Sequence, residues 1–119
     1  MNKKLNVLFI TSDQQHFETI GKFNPKIKTP NIDRLIDGGV YMNRAYTVNP
    51  TCTPTRASWI TGKYPSQHGA WSLGTKLMES EHTLGEDLHA AGHETALIGK
   101  AHFQPLKSTE KYPSLEAYP

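Results

Sequence analysis

One thiol, one guanidinium and one proline set out the chemistry that this chain can do. The run Cys52-Thr53-Pro54-Thr55-Arg56-Ala57-Ser58, followed by Thr61-Gly62, holds the only cysteine of the sequence one helical turn before an arginine. Proline is pre-organised for the first helical position and lacks only a donor that the helix does not use there. The spacing therefore predicts Thr53 as N-cap, Pro54 as N1 and Cys52 just outside the helix mouth. Free amides and the positive end of the helix dipole favour an anion at such a point, and Arg56 adds a forked donor matched to sulfate or phosphate oxygens. A nucleophile beside an anion cradle suits attack on an anionic ester. Taken singly, the cysteine reads as a small buried hydrophobe and the arginine as a solvated helix face, so the inference rests on their combination.

Cys-x-Pro-x-Arg with Thr-Gly close behind resembles the core motif of the type I sulfatases, the formylglycine-dependent branch of the alkaline phosphatase superfamily. The resemblance implies that Cys52 is oxidised to formylglycine by a maturation enzyme and that Arg56 holds that group. It further implies that an oxygen of the hydrated aldehyde attacks sulfur as the alcohol leaves, after which the sulfated group collapses and expels sulfate. Gly99-Lys100-Ala101-His102 is similar to the family's Gly-Lys-x-His segment, which assigns Lys100 and His102 to the transferred group and the formylglycine oxygens. A compact lysine charge suits oxygens that gain negative charge in the transition state, and a histidine suits proton transfer.

Asp13-Gln14 stands where the family carries adjacent acidic or amide metal ligands, commonly Asp-Asp. The resemblance thus makes Asp13, Gln14 and the modified Cys52 the metal-ligating residues. A carboxylate and a side-chain carbonyl are hard donors suited to Ca²⁺ and compatible with Mg²⁺ or Mn²⁺. Adjacent residues at a strand end point to opposite faces, so both can hold one ion only if the backbone turns there. Without the cysteine motif, Asp13-Gln14 reads as an ordinary turn.

Other candidates carry less. His89 and His93 have i, i+4 spacing, but Gly92 ends the helix between them and no adjacent glutamate completes a zinc motif. Gly62-Lys63 lacks the earlier glycine and the following Ser or Thr of a phosphate-binding loop. His68, near Trp71, either lines a pocket entrance or packs within its loop, and His16 is equally open.

The elements that must position these residues alternate in type. Leu5–Ile10 is a short apolar run of the kind buried in a parallel sheet, and Asp13 follows its carboxyl end, where ligands gather in open α/β sheets. A helix is expected over Asn31–Ile36 with Gly38-Gly39 as its stop, then a strand over Val40–Val48, then the motif helix over Pro54–Ile60 closed by Thr61-Gly62. Residues 63–77 read as a long functional loop. Thr83 with Glu86 forms a capping box for a helix through Ala91, stopped by Gly92, and Thr95–Ile98 is the next strand. The pattern predicts an α/β layered fold. The resemblance specifies it as alkaline-phosphatase-like, with a central, mostly parallel sheet of which this chain holds the N-terminal part.

A chain of 119 residues is small for that family. Residues 1–103 are expected to be the N-terminal part of the catalytic domain and 104–119 a truncated loop or linker, so the isolated chain is expected to be inactive. The net charge of +2, with both signs interspersed, argues against a nucleic-acid partner or a polybasic membrane anchor. A lone cysteine excludes an internal disulfide. Leu5–Ile10 is too short for a signal segment and no run approaches the roughly 20 residues of a membrane helix, so a cytoplasmic location is the default. The expected substrate is a small-molecule or carbohydrate sulfate ester. The rival readings are a phosphonate monoester or phosphodiester hydrolase of the same superfamily, and a non-catalytic fragment that keeps the motif.

Overall fold

Proline and glycine bound the first long helix. The computed structural model describes residues 5–104, and in it α1 runs Pro30–Gly38 with Pro30 at N1 and Gly39 as C-cap. Thr29, the N-cap, makes no side-chain cap. Its hydroxyl instead accepts from the Gly21 amide at 2.7 Å and donates to Asp33 Oδ1 at 2.8 Å. Asp33 Oδ1 also accepts from the Lys22 amide at 3.0 Å, and the Lys22 ammonium pairs with Asp37. Only glycine fits at position 21, because a Cβ there would stand 2.8 Å from the Ile27 carbonyl oxygen. A 3₁₀ turn over Phe17–Thr19 precedes this knot, opened by His16, whose Nδ1 accepts from the Glu18 amide.

The chain divides after Arg44 into two compact units. The second begins at Ala45 and carries α2 (Cys52–Thr61), α3 (Pro65–His68) and α4 (Leu84–Ala90), with α2 packed against both α3 and α4. Its core is small: Ala57, Ala70 and Leu77 are buried, and Ile60 and Phe103 pack on them. Ala57 of α2 and Ala70 of the following loop thus share one core. The capping box at Thr83 forms as expected, and the helix ends one residue short of the expected Ala91, which is its C-cap.

One expectation is corrected here, and another is not met among the described residues. Residues 63–77 are not all loop, because Pro65 at N1 and an αL Gly69 bracket the single turn of α3. No strand forms among the described residues. Leu5–Ile10, Val40–Val48 and Thr95–Ile98 lie outside regular structure, with Leu8 83% and Ile98 94% exposed. An apolar run becomes a strand only through a ladder to a neighbour, and no neighbour of these runs among the described residues supplies one. The expected truncated loop at 104–119 lies, Gln104 apart, outside the described residues. Among those described, no helix is long and apolar enough to cross a membrane.

Candidate active site

Asn49-Pro50-Thr51 fixes where α2 begins. The Asn49 Oδ1 accepts from the Thr51 amide at 2.8 Å and from the Thr51 hydroxyl, a side-chain turn that leaves Thr51 extended as N-cap (φ −103°, ψ 155°). The Thr55 amide then donates to the Thr51 carbonyl at 3.3 Å. The helix therefore starts two residues earlier than the Thr53 N-cap expected from spacing, with Cys52 at N1 and Pro54 at N3. Proline is tolerated at N3 for the same reason as at N1, since no intrahelical acceptor waits for its N–H at either position. At the other end, Gly62 adopts αL (φ 68°) and its amide donates to the Ser58 carbonyl at 2.9 Å, so Thr61-Gly62 closes α2 as expected.

The buried face of α2 is made of hydroxyls as much as hydrocarbon: Thr53, Pro54, Thr55, Ala57 and Ser58 are its buried residues. Each hydroxyl then needs a partner. Thr55 Oγ1 donates to the Asn49 carbonyl and meets Thr47 Oγ1 at 3.0 Å, and Thr61 Oγ1 donates to the Ala57 carbonyl at 2.7 Å. Thr53 Oγ1, beside Cys52 in the first turn, is buried with no hydrogen-bond partner among the described residues.

Cys52 and Arg56 are four residues apart and share a face of α2. Opposite them lies the arm that carries Lys100. Arg56 Nη1 donates to the Lys100 carbonyl at 2.6 Å, the Lys100 ammonium donates to Cys52 Sγ at 3.8 Å, and the Arg56 guanidinium lies 5.9 Å from the centroid of the Trp59 ring. Gly99, at φ 100°, turns the chain into this arm, and His102, half-buried and also left-handed at φ 55°, lies two residues beyond Lys100. The Leu77 amide donates to the Phe103 carbonyl at 2.8 Å, which fastens the arm to the core. The structure thus brings Cys52, Arg56 and Lys100 into one cluster, with His102 on the same arm.

His68 is packed within the protein, the second of the two readings left open by the sequence. It is 2% exposed; its Nδ1 accepts from the Ala70 amide at 3.1 Å and its Nε2 meets Ser58 Oγ at 3.0 Å. Burial pushes its pKa below the usual histidine value, with Lys63 acting in the same direction, while the Glu81 charge and the His68 and Pro54 carbonyls oppose the shift. Asn49, Ser58 and Trp59 were not singled out by residue type. Only Asn49 left a signal in the sequence, since Asn-Pro initiates turns.

Asp13 and Gln14 lie in the first unit, exposed, at a bend where Gln14 is left-handed (φ 55°). Among the described residues, no three His, Cys, Asp or Glu side chains gather in a way that could hold a metal.

The class of protein follows from comparison with known families. The Sulfatase family profile matches residues 5–117, and the chain belongs to that family. It is 39% identical over 101 residues to the uncharacterized sulfatase YidJ of Escherichia coli, a match covering 84% of this chain and 20% of that protein. An ulvan-active sulfatase of Formosa agariphila is 38% identical over 100 residues, covering 83% and 20%, and human steryl-sulfatase is 38% identical over 109 residues, covering 82% and 19%. The chain therefore spans about a fifth of the length of the curated relatives it matches. Membership implies an alkaline-phosphatase-like fold. No solved structure matches the chain.

Proposed function

We propose that this chain carries the nucleophile of a sulfatase, a formylglycine made from Cys52, which together with a divalent cation cleaves sulfate esters. The observation that most supports this reading is the cluster at the mouth of α2: Cys52 at N1, the Lys100 ammonium 3.8 Å from its sulfur, and Arg56 bonded to the Lys100 carbonyl. The names of the relatives include a steryl-sulfatase and ulvan-active sulfatases, so the shared chemistry is the sulfate ester and the alcohol is left open.

The chain's own groups divide the work. Thr51 commits its amide to Asn49, Thr53 is buried and Pro54 has no amide, so the Cys52 amide is the first-turn donor that an incoming anion would meet. Lys100 offsets the charge that grows on the sulfuryl oxygens in the transition state. Arg56 fixes the Lys100 backbone and holds the group at position 52, and His102 is assigned proton transfer at the oxygen that residue bears. Asp13 and Gln14 fit a hard cation in donor type, with Ca²⁺ preferred and Mg²⁺ or Mn²⁺ as alternatives. Ca²⁺ takes about six to eight oxygens, so these two residues are part of a larger donor set. When bound, the cation polarises the ester oxygens and lowers the pKa of the attacking group. The central parallel sheet belongs to the same proposal, as the scaffold whose strand ends carry Asp13 and Lys100.

The test is a paired assay on the intact protein, produced with and without a formylglycine-generating maturation enzyme, using one sulfate monoester and one phosphonate monoester. Sulfate release is expected only from the matured protein. It should disappear in Cys52→Ala and fall on chelation or in Asp13→Asn. Turnover faster on the phosphonate by orders of magnitude, or sulfate release that survives Cys52→Ala, overturns the reading.

A further inference from the structure

His68 is the largest fully buried side chain among the described residues, and its ring is committed at both nitrogens. The Ala70 amide donates to Nδ1 at 3.1 Å, so that nitrogen presents its lone pair and, in the neutral ring, the proton sits on Nε2. Nε2–H therefore donates to Ser58 Oγ at 3.0 Å. Ser58 lies on α2 two residues beyond Arg56 and six beyond Cys52, so the contact grips the same helix that carries both functional side chains. The opposite side of the ring is held by the backbone after α3, where Ala70 enters the core against Ala57 and Leu77. The Leu77 amide then reaches the Phe103 carbonyl at 2.8 Å, and Phe103 packs on the same core. A continuous path of hydrogen bonds and buried contacts thus joins α2 to the arm bearing Lys100.

Rotation of α2 about its axis would alter the reach from Arg56 to the Lys100 carbonyl and from Cys52 to the Lys100 ammonium together. Small apolar side chains such as Ala57 and Ala70 in this core oppose such a rotation only weakly, since neither has atoms that interlock. A rigid ring hydrogen-bonded to both sides does oppose it. We propose that His68 is a positioning residue for the Cys52–Arg56–Lys100 cluster, its Nε2–H bond to Ser58 fixing the rotational setting of α2. In its catalytic consequence this rests on the sulfatase reading above.

The experiment compares His68→Leu, His68→Gln and Ser58→Ala in the intact protein. Leucine keeps much of the volume and gives up both bonds. Glutamine can place an amide donor near the position of Nε2, and Ser58→Ala removes the acceptor from the helix side. With rates normalised to formylglycine content by mass spectrometry, His68→Leu and Ser58→Ala are expected to lower kcat about ten- to a hundredfold, with KM changed less than about threefold, as for a misplaced reactive group. His68→Gln is expected to recover most of that loss even if it melts as early as His68→Leu. Unchanged kcat in Ser58→Ala, or His68→Gln as impaired as His68→Leu, overturns the proposal. If His68→Leu does not fold, Ser58→Ala decides alone.

Absence of sulfate ester hydrolysis by the matured wild-type protein would instead remove the sulfatase reading. The positioning role is then read from the rate at which iodoacetamide alkylates unmodified Cys52. A several-fold change in His68→Leu and Ser58→Ala, but not in His68→Gln, supports it; equal rates in all four proteins overturn it.

Discussion

Two histidines of the second unit titrate in opposite senses, and the difference follows from their surroundings. Burial lowers the pKa of His68, so between the ordinary value of 6.5 and the lowered native value the unfolded chain binds more protons than the folded one. Its contribution to stability is complete above 6.5 and is lost as pH falls from there through the native value. His82 is the reverse case: its Nε2 lies 2.7 Å from Asp87 Oδ1, and that hydrogen bond, with the Asp87 charge and a smaller effect of Glu86, raises its pKa. Its contribution is complete below 6.5 and disappears as pH rises through the raised value. Melting curves of the intact protein against His82→Gln should therefore show a gap at pH 5.5 that closes toward pH 8, whereas the gap against His68→Gln should widen over the same range. A His82→Gln gap that grows with pH would show that Asp87 does not stabilise the imidazolium.

At the scale of elements, stop signals were more legible than starts. Gly62, Gly69 and Gly92 all adopt left-handed φ where a helix ends, and the two of them expected as stops, Gly62 and Gly92, can be read from the chain because only glycine adopts that conformation freely. The start of α2 could not be read in the same way. Thr51 and Thr53 are of the same cap-forming type and Pro54 suits N1 or N3, so the decision falls to the Asn49 side chain, which periodicity does not weigh. The start of α4 was legible because Thr83 and Glu86 name each other: the Glu86 carboxylate accepts from the Thr83 amide at 2.7 Å and the Thr83 hydroxyl accepts from the Glu86 amide at 3.4 Å. The same pair makes α4 acid-sensitive. The bond from the Thr83 hydroxyl, then that from its amide, holds the Glu86 carboxyl below the usual 4.5, so this support is complete above 4.5 and is lost as pH falls through the lowered native value. Thr83→Ala is expected to cost about 1 kcal/mol of local helix stability. Hydrogen exchange at the α4 amides should then quicken about fivefold at neutral pH; exchange unchanged from wild type would mean that packing on α2 alone holds α4.

At the scale of the whole molecule, what could be read from the sequence is the identity of the parts rather than their pairing. Leu5–Ile10 and Thr95–Ile98 carry the hydrophobic pattern of buried strands, yet strand character belongs to a pair of segments, and no ladder forms among the described residues. The consequence is a severe imbalance of apolar surface. The hydrophobic side chains buried among the described residues are Ala57, Ala70 and Leu77, while Leu5, Val7, Leu8, Phe9, Ile10, Val40, Leu97 and Ile98 are exposed. Two alanines and a leucine cannot offset the conformational entropy of ordering a chain of this length, and contiguous exposed apolar segments invite association. The 119-residue polypeptide by itself is therefore expected to bind a hydrophobic dye, to unfold without a sigmoidal transition and to release no sulfate from an ester. In the intact protein, the amides of residues 5–10 and 95–98 should be among the slowest to exchange, as expected of core strands in an α/β sheet. A sharp melting transition together with ester hydrolysis by the isolated polypeptide would show that the small core around α2 suffices, and that the apolar runs serve some purpose other than a sheet.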